Sequence, residues 1–158
     1  MVFIAYASFM AEKKNPLGAT GETVAANVQK MREQSNLSYA ELSRRLQAIG
    51  RTIPTLGLRK IESRERRIDA DDLVALAAAL EVSPLTLLMP ESADRSDQVR
   101  TTAHSDTAVR IFQWLRGDAL PGAYDDPQRQ FSFMIRSRPK WAVSEAITRQ
   151  TGSTDGDD

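Results

Sequence analysis

The chain has 158 residues, 41% of them hydrophobic and 27% charged, which allows one ordinary globular domain with an appendage. It contains no cysteine, so disulfides, thiolate metal sites and cysteine nucleophiles are excluded, and the lone His104 completes neither a metal site nor a catalytic triad. The formal net charge is zero. The opening run Met1–Met10 is too short for a membrane span and lacks the basic start of an export signal. A cytoplasmic protein without membrane contact is therefore expected.

In chain order, Thr20 is the predicted cap of a first helix whose apolar face is Val24, Val28 and Met31, ending at Ser35–Asn36. Ser38 and Glu41 have capping-box spacing, and Leu37 and Leu42 staple the start of a second helix. Leu42, Leu46 and Ile49 extend its buried stripe, and Gly50 stops it. A third helix is expected from Thr52–Pro54 to about Ser63, with Leu58 and Ile61 inward. Ile68, the Asp69 cap and Leu73 repeat the staple, and Leu73, Leu76, Ala77 and Leu80 form the fourth stripe. Val82–Ser83–Pro84 begins a short fifth helix, closed by Pro90. These signals predict a compact all-α domain over 20–90, preceded by a tail at 1–19.

Residues 91–104 are polar and read as a linker. A helix over Asp106–Arg116 follows, stopped by Gly117. Phe131, Phe133 and Ile135 alternate as a short strand would, and Pro139 is placed to start a last helix through Trp141, Val143 and Ile147. A mostly helical extension is expected over 105–150, with an acidic tail at 151–158. The extension carries both tryptophans and is too short to bury its aromatic residues alone. Three uses compete for it: dimerisation, a cover for the helical domain, and a small-molecule pocket.

The zero net charge hides an uneven distribution. Arg44, Arg45, Arg51, Arg59, Lys60, Arg64, Arg66 and Arg67 face only Glu62 and Glu65 in the same stretch, a local surplus suited to phosphates.

The stretches LSYAELSRRL and RKIESRERRIDADDLVALAAALEVSPLTLL resemble the phage-repressor (Cro/CI, Xre-like) helix-turn-helix family, over roughly Thr20–Met89. The resemblance implies a five-helix domain whose third helix enters the DNA major groove while the second rests across the backbone. It implies base reading by Thr55, Leu56, Arg59 and Lys60, and phosphate contacts from Tyr39, Arg51, Thr52, Arg64, Arg66 and Arg67. Arg32 and Glu62 fall where the family has an internal ion pair. Three departures stand out: a long turn over 48–53, a glycine at position 57 that leaves room for close DNA approach, and Arg64 where a glycine is common.

The implied partner is double-stranded DNA bound by a homodimer, with no cofactor, no metal and no catalytic residue. The alternative is an antitoxin-like interaction protein that holds a protein partner through its C-terminal third and regulates its own operon.

Overall fold

The computed structural model describes residues 16–144. Five helices come first: α1 (Ala19–Gln34), α2 (Tyr39–Ala48), α3 (Thr55–Glu62), α4 (Ala70–Ala79) and α5 (Pro84–Leu88). A small hairpin follows, β1 (Gln98–Arg100) and β2 (Ser105–Thr107), and then α6 (Ala108–Leu115) and α7 (Pro127–Ser137). The described residues are mostly helical, with one two-stranded sheet, so the expected helical domain with a helical extension is what forms.

Local chemistry explains the helix starts. Ser38 accepts a hydrogen bond from the Glu41 N–H at 3.1 Å, Asp69 from the Asp72 N–H at 2.7 Å, and Ser83 from the Thr86 N–H at 3.1 Å. Such caps each contribute about 1 kcal/mol. The first helix departs from expectation, because Thr20 lies inside it and its N-cap is Gly18. Here the Thr20 N–H donates to Thr102 Oγ1 at 3.2 Å, and the Thr102 N–H returns a bond to Thr20 Oγ1 at 2.9 Å. A residue of the β1–β2 turn thus satisfies a backbone donor that the helix itself leaves open.

The ends of α1 to α4 share one geometry. After α1, Asn36 turns left-handed (φ 53°), its N–H bonds the Glu33 carbonyl, and the Leu37 N–H bonds the Arg32 carbonyl. The same pair of reversed bonds closes α2 at Gly50, α3 at Arg64 and α4 at Glu81. Arg64 (φ 65°) and Glu81 (φ 59°) adopt this conformation with a Cβ present, at a cost of about 1 kcal/mol each.

One core unites the five helices. Val28, Leu42, Leu46, Ile53, Leu58, Ile61, Leu76 and Leu87 are fully buried within it, and Ile68 and Leu73 pack against its edge. Ile49, expected in the α2 stripe, is instead 51% exposed. It caps the helix just before the chain reverses at Gly50, and Ile53 takes the place in the core. Buried Asn27 joins α1 to the end of α5, where its Nδ2 donates to the carbonyls of Leu87 (3.0 Å) and Met89 (2.8 Å). A five-residue helix cannot satisfy those acceptors itself.

Residues 91–104, read above as a linker, hold β1 and the hairpin turn, with Val99 and Thr101 buried. The strands pair antiparallel with Val99 opposite Asp106. Val99, Ala108 and Ile111 form a second, small cluster against Met89 and Leu115. The alternation of Phe131, Phe133 and Ile135 misleads, since all three lie in α7. Asp126 caps that helix by accepting from the Arg129 N–H at 2.9 Å, and Pro127 opens its first turn. No neighbouring strand exists among the described residues to pair with this segment. Lys140–Ser144 is helical, as Pro139 suggested; Ile147, the tail at 151–158 and the run Met1–Met10 lie outside the described residues.

Candidate nucleic-acid interface

The eight residues of α3 divide by the 100° step of a helix. Leu58, Ile61 and Glu62 are buried on one side, whereas Thr55, Leu56, Arg59 and Lys60 are exposed on the other. The four base-reading candidates therefore share one face. The connection from α2 runs over 49–54, long as expected, and it is anchored rather than loose. Ile53 is buried in the core, and its carbonyl accepts from Ser43 Oγ at 2.8 Å.

One flank of α3 is held through Glu62. Its carboxylate accepts from Arg32 Nε at 2.7 Å and Arg32 Nη2 at 2.8 Å, and from the Tyr39 hydroxyl at 2.8 Å. The expected Arg32–Glu62 pair is thus present and nearly buried. The hydrogen bond to Glu62 raises the Arg32 pKa beyond its already high value, against the opposing effect of burial. The bond to Glu62 also raises the Tyr39 pKa, which keeps the phenol protonated as a donor. With its hydroxyl turned inward, Tyr39 has only its backbone N–H, in the first turn of α2, to offer a phosphate. Its ring is covered by the Arg32 guanidinium at 4.3 Å and by that of Arg59 at 5.2 Å.

The other flank is held through Asp72, which sequence reasoning passed over. It is 1% exposed, and it accepts from Arg51 Nε at 2.7 Å and from Arg66 Nη2 at 2.7 Å. Arg51 also donates from Nη2 to Asp69 at 3.0 Å. The hydrogen bond to Asp72 raises the Arg51 pKa, and the Asp72 N–H holds the Asp69 carboxyl below its ordinary value. The acidic first turn of α4, Asp71 and Asp72 after the Asp69 cap, was the available signal.

Gly57 is also recast by this arrangement. A Cβ there would stand 2.9 Å from Arg66 Nη1 and 3.2 Å from Ile53 Cγ2. The space beside the glycine is filled from within the protein, by Arg66.

The basic surplus is therefore smaller on the surface than along the chain. Arg51 and Arg66 are engaged by acids of α4, and Arg44 and Arg45 by Glu41. Arg67 is exposed and donates to the Pro16 carbonyl. Arg59, Lys60 and Arg64 are exposed, with no ion-pair partner among the described residues, and Thr52 is exposed just before α3. No helix among the described residues is long and apolar enough to cross a membrane.

Five short helices around one core, with the third braced on both sides and bare on its outer face, define a repressor-type helix-turn-helix domain. Residues 28–87 match the family model described as Helix-turn-helix, and this domain belongs to the Cro/CI/Xre-type family of DNA-binding regulatory domains. No curated protein and no solved structure matches the chain.

Proposed function

We propose that the protein is a transcriptional regulator, a repressor, that binds a pseudo-palindromic operator in double-stranded DNA as a homodimer at the nucleoid. The observation that carries this reading is the outer face of α3, where Thr55, Leu56, Arg59 and Lys60 stand exposed on a helix whose opposite face is buried. In the major groove, Arg59 and Lys60 donate to guanine O6 and N7, and Thr55 and Leu56 offer apolar contact to a thymine methyl. Thr52, Arg64, Arg67 and the Tyr39 N–H meet phosphates and set register. Repression needs nothing further, because a dimer seated on a promoter blocks access by occupancy alone.

Support for a second copy comes from the extension, where Phe131, Ile135 and Trp141 are exposed. Pairing of two copies sets the reading helices about 34 Å apart, one turn of DNA. The same face also favours one other reading, a protein partner held by the C-terminal third. Sedimentation of the purified chain separates the two, since a dimer supports the first and a monomer the second.

The test of DNA reading is selection from a randomised duplex pool. An inverted repeat with half-site centres about 10 base pairs apart is expected. Lys60→Ala should relax preference at one position of each half-site, at about 1–3 kcal/mol of discrimination. Equal affinity for the selected duplex and its scrambled form would overturn the reading.

A further inference from the structure

Arg51 precedes α3 and Arg66 follows it, yet both end on one carboxylate of α4. Asp72 Oδ1 takes Arg51 Nε and Asp72 Oδ2 takes Arg66 Nη2, each at 2.7 Å, with the acceptor side chain withdrawn from solvent. The second terminal nitrogen of Arg66, Nη1, lies against Gly57, in the space a side chain would fill. At 100° per residue, Gly57 falls on the Ile61 flank of α3, about 140° from Glu62. Glu62 is where Arg32 and Tyr39 grip the opposite flank. The recognition helix is therefore held from both sides by charged clasps, of which only the Glu62 clasp was expected.

Charge decides what Arg66 is for. Arg51 and Arg66 stand against Asp69, Asp71 and Asp72, so the cluster has no positive surplus to offer a phosphate. It is well placed, however, to stop α3 from turning about its own axis. Side-chain tips lie about 5–6 Å from a helix axis, so a 10° turn displaces them by about 1 Å. That is enough to spoil a bidentate hydrogen bond to a base.

We infer that Asp72 is a positioning residue which, through Arg51 and Arg66, fixes the rotational setting of α3 and thereby sets sequence discrimination. Arg66 serves this clasp and not the DNA backbone. The inference rests on the proposed reading of DNA by α3.

The experiment uses the full chain, the duplex most enriched by selection with the wild-type protein, and a scrambled duplex of the same composition. Anisotropy is measured across a salt series for wild type, Arg66→Met, Asp72→Asn and the double variant. Arg66→Met should keep the wild-type salt slope while the ratio of selected to scrambled affinity falls about tenfold. Asp72→Asn should lower the ratio equally, and the double variant no further, because the two side chains act as one unit. If Asp72→Asn fails to fold, Gly57→Ala provides the second variant. It leaves all three charged partners in place and displaces Arg66 from the helix, so the ratio should fall with helix content retained. A phosphate role for Arg66 would instead reduce the salt slope by about 0.9 at an unchanged ratio, and that result overturns the inference. So does a wild-type ratio in folded Arg66→Met. Failure of the underlying DNA reading looks different, because wild type itself would then not distinguish the two duplexes.

Discussion

The helical domain and the extension solve the same problem with unequal means. From α1 to α5 the apolar period, the caps at Ser38, Asp69 and Ser83 and the reversing turns after α1 to α4 act together, and one core of fully buried side chains results. From β1 onward the buried apolar cluster is Val99, Ala108 and Ile111, α7 buries no residue completely, and Trp141 is 67% exposed. The first region holds itself together. The second is attached to it at Thr20–Thr102 and around Met89, and it leaves Phe112, Phe131 and Trp141 facing outward. Stability thus rests on the first region; under the proposed function, reading belongs to it as well and the surface for a second molecule belongs to the other.

The contrast breaks most visibly at Glu62. Glu62→Ala strands the Arg32 guanidinium in a nearly buried site and should cost about 3–5 kcal/mol in urea unfolding. Phe131→Ala on the exposed face of α7 should change monomer stability by no more than about 0.5 kcal/mol. Comparable losses from the two would erase the distinction between the regions. A smaller effect probes the attachment itself. Thr102→Ala removes the distant cap of α1 and should cost about 1 kcal/mol, with amide exchange in the first turn of α1 accelerated while α3 keeps its protection.

At Arg64 the expected change has the opposite sign. Arg64→Gly relieves a left-handed residue and should raise stability by about 1 kcal/mol, while the salt slope of DNA binding falls by about 0.9. A thermal melt and a salt titration on the same variant separate the two consequences. The smallest effect is in acid. Because the Asp72 N–H lowers the Asp69 pKa, the contribution of this cap is complete above the ordinary carboxylate value and is lost as pH falls through the lower folded value. Melting temperature against pH should therefore decline on the acid side less steeply in Asp69→Asn than in wild type.

What could be read in advance followed the range of the interactions. The caps at Ser38, Asp69 and Ser83 act three residues away, and they formed as read. The left-handed ends at Asn36 and Gly50 are equally local. The Arg32–Glu62 pair is distant, and it was legible through family resemblance alone. Thr102 capping a helix 82 positions earlier has no local trace. Nor does the Asp72 carboxylate that Arg51 and Arg66 share. At 131–135, alternation over five residues fits a strand until the Asp126 cap and Pro127 are counted, and those decide for a helix. The outer face of α3 was assigned through the resemblance; helical period accounts for Thr55, Leu56, Arg59 and Lys60 lying exposed opposite the buried Leu58 and Ile61.

The most direct test of the central claim is to map amide chemical-shift changes on adding the duplex enriched by selection. The account predicts the largest changes at residues 55–60 and 64–67, with the α7 face around Phe131 and Ile135 little affected by the bases themselves. Large changes confined to the hairpin or α7, with α3 silent, would contradict it.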